Sequence, residues 1–167
     1  MPELILLLLF PAIMTFAGAM DLVTMTIPNR ITLALVAAFP LVLPFSGLDL
    51  MGVANHVGAG LLMLAVGIFM FARGWCGGGD AKLLAAAALW LGFENLPGYL
   101  MLVSMAGGVL VSAILAYRRM PPPTWLAGQS WAMRLHNRAV GVPYGIALSA
   151  AALWIYPSTF WFTHFIV

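Results

Sequence analysis

Charge is what this chain has least of. Charged residues make up 7% of it, where soluble domains carry about a quarter, and only 5 of its 167 residues are Asp or Glu. With 63% hydrophobic residues and a mean hydropathy of +1.04, a soluble globular domain is excluded and an integral membrane protein is left. Cysteine is nearly missing as well. Cys76 stands alone, which excludes an internal disulfide and any multi-cysteine zinc site. The histidines, His56, His136 and His164, are scattered and have no Glu or Cys at ligand spacing, so an H-E-x-x-H metalloprotease is excluded. A Gly-x-Ser-x-Gly elbow is absent too. No metal and no organic cofactor is implied. The pI near 9.0 would suggest nucleic acid in a soluble protein. Here the seven Lys and Arg sit in short connections beside apolar runs and report membrane orientation, not a nucleic-acid partner.

What the chain does have is long apolar runs, at residues 2–20, 31–46, 53–72, 83–93, 99–117 and 142–162. Isolated strands would leave backbone groups unpaired in lipid, so these runs predict helices. The expectation is an all-α polytopic fold of about six spans, one transmembrane domain over 1–167 with no soluble domain. The first run ends in Ala17-Gly18-Ala19 like a cleavable leader, but it begins with Glu3 and has no Lys or Arg, so it is expected to be kept as a span. Arg30, Arg73, Lys82, Arg118, Arg119, Arg134 and Arg138 all fall on one side of a six-span alternation. Glu3, Asp49 and Glu94 fall on the other. The positive-inside rule makes the first side cytoplasmic and sets the N-terminus and C-terminus outside.

By the same parity, Asp21 and Asp80 lie on one face and are able to meet. Run 83–93 would extend only about 16 Å as a helix, against a hydrocarbon core of about 30 Å. A span of normal length ending near Phe93 therefore has to begin at 74–77, which recesses Gly77-Gly78-Gly79-Asp80 into the membrane boundary. Irregular backbone is tolerated there only where it lines protein or a wet cavity. The polar stretch 118–141 opens with Pro121-Pro122-Pro123 and alternates Trp125, Leu126, Trp131, Met133 and Leu135 with Arg134, His136 and Arg138. That pattern suits a short amphipathic helix on the inner surface, read first as a connector and second as a substrate-docking element.

An acidic residue near a membrane span is a functional hypothesis by default. Two carboxylates converging in a poorly hydrated site do not both ionise easily, so one holds a proton while the other stays charged. Such a pair activates a water: the ionised member takes its proton and the protonated member polarises a peptide carbonyl. Glycines before Asp80 let a substrate backbone come close. The plain alternatives are that Asp80 is the N-cap of the fourth span and Asp21 an ordinary charged helix end. Both readings stand at this point, although capping does not explain three glycines. Cys76 lacks a fixed His partner and reads as a packing residue.

At Asp21 followed by Ile27-Pro28-Asn29, at Gly77-Gly78-Gly79-Asp80-Ala81-Lys82 and at Val142-Pro143-Tyr144-Gly145, the chain resembles the bacterial prepilin peptidases, which are GxGD intramembrane aspartyl proteases. It is most similar to the short type associated with tight-adherence (Flp-type) pili. The resemblance implies an aspartic-type endopeptidase of the bacterial inner membrane, with its active site facing the cytoplasm, cutting the leader of a membrane-anchored prepilin after a glycine. It implies Asp21 and Asp80 as the catalytic pair, with Gly77, Gly78, Gly79 and Lys82 as the motif where substrate approaches, and pilus assembly machinery as a further partner. The chain departs from many relatives in carrying Thr24-Met25-Thr26 where they have basic residues. Only residues 21–30 separate the first two runs, so the cysteine-rich methyltransferase region that longer relatives insert there is not expected. The readings from other classes are a small proton-coupled transporter, with the acidic pair binding and releasing protons along a path, and a non-catalytic subunit of a pilus or secretion assembly.

Overall fold

The computed structural model describes residues 2–126 and 128–166, and the side chains of 6–126 and 128–164, which leaves the side chain of Glu3 outside. Among the described residues the fold is all-helical: α1 (Pro2–Thr24), α2 (Asn29–Ser46), α3 (Leu50–Ala72), α4 (Gly78–Tyr117), α5 (Ser130–His136), α6 (Tyr144–Ile155), a 3₁₀ turn (Tyr156–Ser158) and α7 (Phe160–Ile166). Of these, α1 to α4 are long and apolar enough to cross a membrane. Asp49 caps α3, its Oδ1 accepting the Gly52 N–H at 2.8 Å.

The expected six runs and the helices do not correspond one to one, and four helices among the described residues are long and apolar enough to cross a membrane. Runs 83–93 and 99–117 belong to one 40-residue helical element, α4, bent at Gly92 where φ is 68° and ψ 173°. Only glycine adopts that backbone without large strain. No loop is needed, because the Asn55 side chain accepts the Phe93 N–H at 2.8 Å, one of the donors that a helix start leaves unpaired. Run 142–162 is also not one helix. Pro157 lacks the N–H that α6 would need to continue, so the chain tightens into the 3₁₀ turn there. The start of α4 at Gly78, capped by Gly77, lies one residue beyond the expected 74–77.

Contacts fix the direction of every element. α6 begins where Gly145 meets Asp21 and ends at Tyr156, whose hydroxyl donates to Leu7 O at 2.8 Å, so it runs antiparallel to α1. α2 and the first half of α4 leave that end together, tied by Lys82 to Asn29 at 2.9 Å and by Trp90 Nε1 to Leu35 O at 2.9 Å. Past Gly92, α4 returns: Gly98 lies against Ile155, Tyr99 donates to Leu148 O at 3.3 Å, and Gly107 lies against Tyr144. α3 descends along the first half of α4, from Gly60 on Leu89 to Gly67 on Ala81.

The end away from the aspartates is locked by aromatic packing. Phe10 stacks on Tyr156 at 5.0 Å and meets Trp90 at 5.4 Å, and Trp90 meets Trp161 at 5.3 Å. Trp161 also donates to Trp90 O at 2.6 Å. Such pairs add about 0.5–1.5 kcal/mol each beyond area burial, and every buried ring donor here has a partner. One end is therefore rigid, and the other carries the polar groups.

Candidate active site

Asp21 lies in the last turns of α1 and is 4% exposed. Its Oδ2 accepts the Gly145 N–H at 2.7 Å. Gly145 is the second residue of α6, so the bond uses one of the unpaired donors at a helix N-terminus, where partial positive charge favours an anion. The position demands glycine, since a Cβ there would lie 2.7 Å from Asp21 Oδ2 and 2.8 Å from Ile27 Cδ1. Asp21 is thus a buried, specifically held carboxylate and not an ordinary charged helix end.

Asp80 is the third residue of α4, and Gly77, not Asp80, occupies the N-cap. This corrects the capping alternative. The Asp80 carboxylate instead reaches back to accept the Gly77 N–H at 3.3 Å, the half of a capping box that an acid at the third position supplies. Ahead of it, Gly79 packs on Ile27, where a Cβ would come within 3.2 Å of the Ile27 Cβ. The Ile27-Pro28-Asn29 turn is therefore clamped between Gly79 and Gly145.

Both carboxylates line one cavity of about 440 Å³, together with Met25, Ile27, Gly77, Gly78, Gly79 and residues 140–143, the irregular segment before α6. The charge of Asp80 acts on Asp21. Met25, on the rim, has φ 57°, an uncommon left-handed conformation for a side-chain-bearing residue. The structure brings together Asp21, Asp80 and all three glycines. Lys82 is not part of this cavity; it is exposed and bonded to Asn29. Burial first and the Asp80 charge second push the Cys76 thiol up from its ordinary value, which disfavours a thiolate nucleophile. No cluster of three metal-ligating side chains occurs among the described residues, and His56 is a core residue bonded to Leu89 O at 3.0 Å.

The connector after α4 frames the site. Arg118 donates through Nε to Leu135 O at 2.7 Å and through Nη2 to Val140 O at 2.9 Å and Gly141 O at 3.0 Å. Arg134 of α5 donates to Val23 O, two residues past Asp21. The expected amphipathic helix thus exists as α5, with Ala132 and Leu135 buried, but Trp125 and Leu126 precede it. Gly145, Met25, Arg118 and Arg134 are site residues that the candidate set missed. Only Gly145 had a signal, in the Val142-Pro143-Tyr144-Gly145 motif.

Chemically, the arrangement offers two carboxylates from separate helices, at one end of the bundle, facing a cavity with glycine backbone along one side. No curated protein and no solved structure matches the chain. The model of the type IV leader peptidase family matches residues 8–112, a stretch that holds Asp21, the Ile27-Pro28-Asn29 turn and residues 77–82 but stops short of Gly145. By that match over most of its length, this chain belongs to the type IV leader peptidase family.

Proposed function

We propose that the chain is an intramembrane aspartyl endopeptidase that cleaves the leader of a type IV, Flp-like prepilin on the cytoplasmic side of the bacterial inner membrane, after a glycine, with Asp21 and Asp80 as the catalytic pair. The observation that carries this reading is the convergence of Asp21 and Asp80 on one cavity. The ionised member of the pair takes a proton from water as its oxygen attacks the glycyl carbonyl carbon, and the protonated member donates to the carbonyl oxygen. The tetrahedral diol collapses with the C–N bond breaking: the leaving amine takes the proton that the first carboxylate collected, and one diol hydroxyl returns its proton to the second carboxylate as the new carbonyl forms, which restores the pair. The proton belongs to the pair, not to either residue. Gly77, Gly78 and Gly79 present bare backbone to the substrate chain.

Cytoplasmic cleavage is supported by the basic residues, since Lys82, Arg118 and Arg134 all make their contacts at the Asp21 end of the bundle. That placement weighs against the transporter reading, which wants acidic groups midway along a path. The test is co-expression with a candidate prepilin, read as a mobility shift. Asp21→Asn and Asp80→Asn should each cut cleavage by roughly 10⁴-fold or more, with the double variant no worse, because a pair acting as a unit is lost whole. Substantial cleavage by Asp80→Asn at normal membrane abundance would leave Asp80 with only its bond to Gly77.

A further inference from the structure

A larger cavity than the one at the aspartates lies outside that site. It is a groove of about 660 Å³ between α2 and α3, helices that both pack on α4 and hardly touch one another. Leu33 and Val36 form one wall, Leu61 the other, and Ala85 and Ala86 the floor. The wall side chains are 64%, 47% and 60% exposed, an apolar track without protein cover. Its far end is at Leu43 and Val53, and its near end is the Asn29–Lys82 pair. From Asn29 to Leu43 the track follows about 20 Å of helix.

The near end adjoins the aspartate cavity. Ile27 and Gly79 line the one, and Asn29 and Lys82, two and three residues further along their helices, line the other. Resting on the protease reading above, we infer that this groove seats the substrate's own apolar helix, the segment that follows the scissile bond, with its first turn at Asn29 and Lys82. A peptide anchored in the bilayer by such a helix has to offer its bond at the helix end, and the groove runs within the membrane-spanning helices to the edge of the aspartate site. A floor of alanines lets a helix backbone approach closely, the usual device for helix association in lipid. A wall of branched apolar side chains then meets its flanks.

The test uses the whole protein in membranes, carrying Asp80→Asn so that substrate is held, with a photo-crosslinking residue at Val36, at Leu61, or at Val109 on the outward face of returning α4, where Val109 is 71% exposed. The probe is a precursor made of a leader and an apolar helix of about 20 residues. Adducts with the precursor at Val36 and Leu61, lost when its helix is deleted and absent at Val109, are expected. Adducts with lipid alone in the groove, or equal adducts at Val109, would overturn the assignment. A second measurement compares Val36→Trp and Leu61→Trp with the unaltered protein, as kcat/KM for the anchored precursor divided by that for a soluble peptide spanning the same bond. Filling the track should lower this ratio on the order of tenfold, as overpacking a fitted contact does, and an unchanged ratio rejects the groove. If the unaltered protein cuts neither substrate, the protease reading falls with it.

Discussion

Gly145 is the residue on which the site turns, because it both donates to Asp21 and leaves room for it. Gly145→Ala puts a methyl 2.7 Å from the carboxylate oxygen. Cleavage should fall on the order of 100-fold from the displaced group alone, while thermal unfolding in detergent shifts by only about 1–3 kcal/mol of overpacking. A variant as active as the parent would show that the bond has no part in function. Cys76 offers a probe of the neighbouring charge. Its raised thiol pKa means less thiolate at a given pH, so alkylation at pH 8 should be slower than for a free thiol and should speed up as pH rises. Removing the Asp80 charge in Asp80→Asn should quicken labelling, and Cys76→Ser should cleave normally. At this scale the sequence was informative about Asp21, Asp80 and the three glycines, because carboxylates and glycine runs are rare in apolar sequence and each needs a reason. It was silent on Met25, Arg118 and Arg134. Arg118 and Arg134 act through bonds to backbone atoms distant in the chain, and a carbonyl acceptor leaves no trace in residue type, while the left-handed backbone of Met25 is one its residue type does not announce. Lys82 was read from its neighbourhood to Asp80, yet two residues along a helix is a turn of about 200°, which carries it off the cavity.

Among the elements, α4 departs most from what hydropathy alone suggests. Gly92 sits near the end of an apolar run and looks like any small residue in a span, so its positive φ was not legible, although a change of side between runs 83–93 and 99–117, with Glu94 between them, was. Gly92→Ala should destabilise the protein by about 1–3 kcal/mol through strain, with further loss from crowding Asn55, whose Oδ1 would lie 3.0 Å from the new methyl. A melting temperature in detergent equal to the parent's would contradict the bend. Length arithmetic did better, since the short run 83–93 forced α4 to begin well before Leu83, and Gly78 is close to that estimate. The break after α6 was visible as Pro157 but was overridden by a hydrophobic run that continues past it.

For the molecule as a whole, the alternation of charge along the chain sets the expected topology. Reporters fused after Met25 and Pro123 are expected on the cytoplasmic face and those after Gly47 on the other. A cytoplasmic signal after Asn95, next to the bend in α4, would break the parity that brings the two aspartates together. The expectation could be formed because Lys and Arg gather at every second connection, whereas the packing of α2 and α3 on α4 with hardly any contact between them is a matter of shape that no charge records. The bend at Gly92 also bears on how the protein is made. As the chain emerges from the ribosome, residues 78–91 come first and reach only about 21 Å, too short to lodge across a bilayer core of about 30 Å. They have to wait for residues 93–117 and leave the insertion machinery with them as a closed hairpin. Gly145, the donor to Asp21, is synthesised later still. A nascent chain therefore has no donor to seat the Asp21 carboxylate until α6 begins, so the site is completed only after both helices that carry its aspartates have been made.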